Sequence, residues 1–265
     1  HEIPALSQLD FRLGTLYNCF EEQIVGHLLT EAELKNEVIR WSFDRSPPGF
    51  TANIKEEPDN KYDRLGIDNS LKLSILSGLI ELKGSSRYVN HTRPFGNKSR
   101  ILHCKYQRGK EYFTDTYSSL KEKIGKKLKE YYERNQEKEA THVVTGITYG
   151  DQALFVVDKS SPNPQFPEKY DPEQKKVTES IKDNTLQQAK SQQFSSRITI
   201  HCFCDGKPEI NKVSFIEAKE FYDSFKSRPN AVPITVTMIP SGGGSNIKSI
   251  DYTAVHRVED IFDRL

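Results

Sequence analysis

Two places in the sequence bring together residue types that can hold metals or move protons. "HCFC" sets His201, Cys202 and Cys204 within four positions, a donor set of the kind that binds zinc. Side chains alternate along a strand, so Cys202 and Cys204 share one face, His201 takes the other, and one ion cannot reach all three. The two cysteines read as small apolar residues on a core face. His142 follows Thr141 with no serine, cysteine or carboxylate beside it, and it reads as a hydrogen-bonded structural histidine rather than a general base. "FGNKSR" around Gly96 lacks the upstream glycine of a phosphate loop, and neither a G-x-S-x-G elbow nor an H-E-x-x-H pair occurs. The expectation is no enzyme, no metal, no cofactor and no small-molecule substrate.

Bulk properties narrow the partners further. Over 265 residues, 38 basic and 37 acidic side chains leave a net charge of +1, so no global field favours nucleic acid. The four cysteines are too few and too scattered for a disulfide framework. No run approaches the roughly 18 apolar residues of a spanning helix. Localisation stays open between secreted or membrane-associated and cytoplasmic.

The elements that must position these residues are mixed without regular alternation. "TEAELKNEVIRW" has Thr30 and Glu33 at capping-box spacing, with Leu34, Val38 and Trp41 at helical intervals, and predicts a short helix. Residues 53–62 are polar and read as a loop. Ser119 and Glu122 form a second capping box ahead of Leu120, Ile124, Leu128 and Tyr132, the stripe of a charged surface helix. "ATHVVTGITYGDQALFVV" is the most strand-like run, although Gly146 and Gly150 interrupt it. "KKVTESIKDNTLQQAKSQQFSSR" reads as a weak helix with apolar residues only at Val177, Ile181, Leu186 and Phe194. "RITIHCFC" and "AVPITVTMIP" read as strands, and "SFIEAKEFYDSF" as a helix capped by Ser214 with Glu217. Residues 1–240 are expected to form one domain. "SGGGS" at 241–245 predicts a flexible linker over 241–249, and 250–265 predicts a C-terminal helix.

"DNSLKLSILSGLIELKGSSRYVN" supports two readings. With period two, Leu71, Leu73 and Ile75 face one way, as in a strand. With period 3.6, Leu71, Ile75, Leu76, Leu79, Ile80 and Leu82 gather on one face, as in an amphipathic helix. A segment that fits both patterns is a candidate to be helical in one state and extended in another. Leu71 to Ile80 spans about the 9–11 residues that a tilted strand needs to cross a bilayer.

Four stretches in this order, "ALSQLDFRLGTLYN", "SLKLSILSGLIELKGSSRYVN", "ATHVVTGITYGDQALFVVD" and "AVPITVTMIP", resemble the N-terminal domain of the stonustoxin and verrucotoxin family, a branch of the perforin and cholesterol-dependent cytolysin superfamily. The resemblance implies an α+β domain on a bent, twisted, mostly antiparallel sheet flanked by two helical clusters. It implies oligomerisation, with itself or a homologous subunit, and pore formation in membrane lipid as the clusters unfurl into strands. Thr141, His142, Gly146, Tyr149 and Gly150 would occupy the signature strand and its hinge. Leu71, Leu73, Ile75, Leu76, Leu79, Ile80 and Leu82 would lie in the first inserting segment, and Val177, Ile181, Leu186 and Phe194 in the second cluster. That second cluster lacks the apolar alternation of a lipid-facing strand and carries Lys175, Lys176, Lys182 and Lys190. The alternative function is a non-lytic scaffold or interaction module of a larger protein.

Overall fold

The structure, a computed structural model, describes residues 2–5, 11–30, 32–34, 38–42, 49–57, 60–92, 99–113, 117–134, 140–160, 172–205, 210–225 and 232–241. The linker beyond Ser241 and the C-terminal helix lie outside the described residues.

One strand organises everything else. β7 (His142–Lys159) is buried along almost its whole length because both its faces are covered, as the near-continuous apolar run requires. On one side it pairs antiparallel with β6 (Arg100–Phe113), and beyond the end of β6 with β2 (Thr15–Asn18). On the other side its lower half, His142 to Gly150, pairs with β10 (Val232–Pro240), while its upper half, Ala153 to Lys159, pairs with β8 (Ile198–Cys204). The strand therefore changes partner just above Gly150. β5 (Gly49–Glu56) and β4 (Val38–Ser42) pair in succession along β6. β1 (Glu2–Pro4) extends the sheet at β10, β3 (Gln23–His27) at β2, and β9 (Ile210–Val213) at β8.

Above the fork the sheet is sandwiched. Leu154 and Val156 point into a core with Ile101, Phe203 and the first helical cluster, α1 (Lys61–Arg64), α2 (Asn69–Leu76) and a 3-10 segment (Gly84–Asn90). The alternate residues Ala153, Phe155 and Val157 point the opposite way, against α4 (Pro172–Asp183), α5 (Leu186–Lys190) and α6 (Phe215–Phe225). Below the fork, Val143, Val144 and Ile147 pack with Leu16, Val236, Met238 and the stripe Leu120, Ile124 and Leu128 of α3 (Tyr117–Arg134). This is the α+β architecture expected, a largely antiparallel sheet between two helical clusters.

Several sequence expectations change. Of the helix expected across residues 30–41, residues 32–34 are helical, whereas Val38 and Trp41 belong to β4. The capping pattern was genuine, since the Thr30 N–H donates to Glu33 Oε2 at 2.8 Å, but pairing with β6 takes over the chain that follows. Residues 53–56, expected as loop, complete β5, which pairs on one side with β6. α3 begins at Tyr117, so Ser119 lies inside its first turn rather than capping it. Leu71 to Leu76 is helical here, but the helix ends at Leu76 and the chain turns through Ser77 and Gly78. Leu79, Ile80 and Leu82 therefore do not share its face.

Candidate functional site

Strand β7 enters the fork with three irregularities in its neighbours and itself. Opposite Tyr149 and Gly150, β6 carries Arg108 as an extra residue between Gln107 and Gly109. Opposite Thr148 and Tyr149, β10 carries Ile234 as an extra residue between Pro233 and Thr235. Thr145 is the extra residue of β7 itself, between the pairs Gly146 to Thr237 and Val144 to Met238. Bulges bend a strand and raise its local twist, so bending is concentrated between Thr145 and Gly150.

The glycines have distinct reasons for being there. A β-carbon on Gly150 would collide with the Tyr106 carbonyl oxygen and lie 3.0 Å from Ile234 Cδ1. At Gly146 it would come tightly against the Thr237 side chain, at 3.3 Å, and into ordinary contact with the Glu111 carbonyl oxygen, at 3.7 Å. Thr141 and His142 start the strand. The Thr141 hydroxyl donates to the Tyr17 carbonyl at 3.1 Å and accepts from the Cys19 N–H at 2.9 Å. His142 Nδ1 lies 2.9 Å from that hydroxyl, and burial pushes the His142 pKa down, which fits the structural histidine expected. The Tyr149 hydroxyl donates to Glu111 Oε2 across to β6 at 3.1 Å.

The first helical cluster is fastened by three buried carboxylates, one from each of three chain segments beneath it. Glu57, at the end of β5, faces Lys61 Nζ at 3.1 Å and accepts from the Tyr88 hydroxyl and the Ser99 N–H, both at 3.4 Å. Asp205, just after β8, accepts from the Ser85 N–H at 2.9 Å and from the Gln152 N–H on β7 at 3.2 Å. Asp158, on β7, accepts from the Ser99 hydroxyl and lies 2.8 Å from His91 Nε2 and 3.4 Å from His201 Nε2. All three converge on the segment from Ser85 to His91. Elsewhere the cluster touches the sheet less completely, across a cavity of about 740 Å³ lined by Ile75, Leu76, Ile80, Leu82 and Phe203. Leu71, Ile80 and Leu82 are buried and Leu73 and Ile75 half-buried, whereas Leu76 and Leu79 are 41% and 53% exposed.

The second cluster is held differently. Val177 and Ile181 are fully buried among Phe155, Phe221, Tyr222 and Phe225. Leu186 is half-buried, and Phe194 packs edge-on to Phe215 with ring centroids 4.7 Å apart. Polar ties to β7 run from Gln174 Nε2 to the buried Val157 carbonyl at 2.9 Å and from Lys159 Nζ to Glu173 Oε2 at 3.1 Å.

Cys202 and Cys204 do face the second cluster, with His201 on the opposite side. His201 instead meets His91 and Asp158, an association that three separated segments create and no local motif announces. Ser99, Asp158 and these histidines are the residue types of a hydrolytic triad in an unproductive order. The serine hydroxyl donates to the carboxylate, and among the described residues no hydrogen bond joins it to an imidazole, which is not the serine–imidazole–carboxylate order of a triad. Among the described residues no helix is long and apolar enough to cross a membrane, a finding that does not bear on crossing by strands.

Known proteins match this chain over most of its length. Neoverrucotoxin subunit beta from Synanceia verrucosa and Stonustoxin subunit beta from Synanceia horrida are each 30% identical over 241 residues, covering 87% of this chain and 33% of the relative. Stonustoxin subunit alpha is 26% identical across 99% of this chain and 39% of its own length. The solved structure of stonustoxin superposes with a TM-score of 0.60 at 20% identity, covering 99% of this chain and 33% of that one, a likeness of fold. No family model matches. The chain spans about a third of the length of the beta subunits it matches. Related by sequence over most of its length and by fold over nearly all of it, the chain carries a domain of the stonustoxin and verrucotoxin family.

Proposed function

We propose that this chain is the membrane-acting domain of a stonustoxin-type cytolysin, which oligomerises and opens pores rather than catalysing a reaction. The observation that carries the reading is connectivity. Residues 57–99, which hold the first cluster, join neighbouring antiparallel strands β5 and β6, and residues 160–197, which hold α4 and α5, join neighbouring strands β7 and β8. Unwinding either connection would lengthen two strands that are already paired, giving a hairpin with no new topology. Each arm needs about 9–11 residues to cross a bilayer, and both connections exceed two arms. Free edges have no partners in lipid, so such hairpins must close into a barrel, which requires several subunits. The fork at Gly150 is the hinge in this reading, because the sheet bends there and β7 changes partner directly beneath the clusters. Dye release from liposomes with ring-shaped oligomers in negative stain is the expected result, and a chain that stays monomeric and silent on every lipid tested would end the proposal.

A second reading rests on the second cluster. Drawn out as a strand, α4 would put Val177 and Ile181 on the same face as Lys175 and Glu179. Charged residues at mid-bilayer cost roughly 2–4 kcal/mol for each lysine, so this connection makes a poor lipid-facing hairpin by itself. The relatives are named as alpha and beta subunits, and the chain would then act beside a homologous subunit that supplies the missing apolar face. Release only in the presence of such a subunit supports that version, and soluble assembly without release under any pairing supports a non-lytic module.

A further inference from the structure

We propose that His91, Asp158 and His201 form a binding site for one divalent cation of the zinc class, which staples the first helical cluster to the sheet. The three ligand atoms lie within 4.8 Å of one another. Both imidazoles present Nε2 to the same carboxylate oxygen, Asp158 Oδ2, at 2.8 and 3.4 Å. The other oxygen, Oδ1, is occupied by the Ser99 hydroxyl. That hydrogen bond fixes the carboxylate in the way outer-shell partners fix metal ligands. Asp158 is 2% exposed, and among the described residues no lysine or arginine pairs with it. A buried anion faced by two imidazoles gains from a cation shared by all three.

The donor set selects the ion. Two imidazole nitrogens and one carboxylate oxygen suit zinc and its neighbours, whereas calcium and magnesium prefer all-oxygen shells. Bonds of about 2.0–2.1 Å at tetrahedral angles place ligand atoms about 3.4 Å apart. His201 is already at that separation from Asp158, and His91 needs to retreat by roughly half an ångström. The His201 side chain remains partly exposed, which leaves a route of entry and a fourth position for water.

The three ligands also sit where a staple is effective. Asp158 and His201 are held on one face of the sheet by register, since Asp158 pairs with Thr199 and His201 with Val156. His91 belongs to the other partner, directly after the 3-10 segment. Its ring packs on His201 and Phe203, with centroids 4.5 and 5.6 Å away. An ion would fasten the end of the first cluster to two strands and leave the second cluster untouched. This inference does not depend on the membrane reading, because it concerns binding in the folded, soluble form.

The test is titration of the chelator-stripped chain with cobalt(II) and then zinc. One equivalent of cobalt should give the visible bands of a four-coordinate ion, zinc should displace it, and zinc should raise the melting midpoint by several degrees. His91→Ala and His201→Ala should abolish both signals, with His201→Gln as a second variant, and circular dichroism should confirm that each is folded. Ser99→Ala should weaken binding by about 10–100-fold, and Cys202→Ser should leave it unchanged. Absence of cobalt bands with no zinc-dependent midpoint shift overturns the site. Signals that persist in folded His201→Ala overturn it equally, because the ion is then held elsewhere.

Discussion

Gly150 lies so close to the Tyr106 carbonyl that no side chain fits between them, and this contact falls at the point where β7 leaves β10 for β8. At Gly146, on the same strand, the one tight neighbour of such a side chain is Thr237, whose side chain can shift. Gly150→Ala should therefore cost about 1–3 kcal/mol, lowering the melting midpoint by roughly 2–12 °C. Gly146→Ala should cost about 1 kcal/mol or less. Thermal unfolding of both variants checks the ranking, and equal midpoints would remove Gly150 from its special place at the fork.

Asp205 bridges the 3-10 segment and the fork through two backbone N–H groups. Asp205→Ala leaves the buried Ser85 N–H and the part-buried Gln152 N–H without their acceptor, at a cost of about 2–4 kcal/mol. Hydrogen exchange should show the Ser85 and Gln152 amides losing protection before the core amides of α4. Uniform acceleration across both clusters would show that Asp205 acts on the whole fold rather than on the first cluster.

His103 lies on β6 and faces Gln152 Oε1 at 3.2 Å. Burial, and then the positive charges of Arg64, Lys105 and Lys55, lower its pKa to about 4, while its hydrogen bond to Gln152 acts the other way. A lowered histidine pKa means that the unfolded chain takes up the proton first as pH falls. The stability contributed by neutral His103 is complete above the unfolded value of about 6.5 and is lost between there and about 4. The loss amounts to up to about 3 kcal/mol. Denaturant midpoints measured from pH 7 to pH 4 should fall in the wild type and fall less in His103→Gln; parallel curves would assign the acid sensitivity to other groups.

Leu79 is half in solvent and contributes little to the folded core. Leu79→Lys should change stability by no more than about 0.5 kcal/mol. If the first segment reaches lipid, the same lysine costs roughly 2–4 kcal/mol at mid-bilayer and dye release should drop by tenfold or more. Unchanged release from liposomes would place Leu79 outside the bilayer.

Much of the architecture is legible in the sequence where one interaction dominates. β7, β8 and β10 are strongly apolar strands bounded by breakers, and α6 carries its Ser214 and Glu217 box, with the Ser214 N–H donating to Glu217 Oε2 at 2.7 Å. β5 and β6 hide because their faces are only partly covered and their lysines and asparagines resemble loop composition. Residues 30–42 mislead because a sound cap is followed by a segment whose conformation is decided by β6, far along the chain. The fastening of the first cluster is invisible for the same reason. Ser85 and Asp205 are 120 positions apart, and His91 and Asp158 are 67 apart, so no local pattern of residue types can announce them.

The two clusters are locked in different chemical currencies. The first is gripped by buried carboxylates on backbone amides, hydroxyls and imidazoles, directional contacts that weaken steeply when displaced. The second is gripped mainly by Val177, Ile181 and a set of aromatic rings, with the Gln174 amide and the Lys159–Glu173 ion pair beside them, and apolar packing is non-directional. A small shift of the sheet would therefore break the directional grip on the first connection before it uncovered the apolar grip on the second.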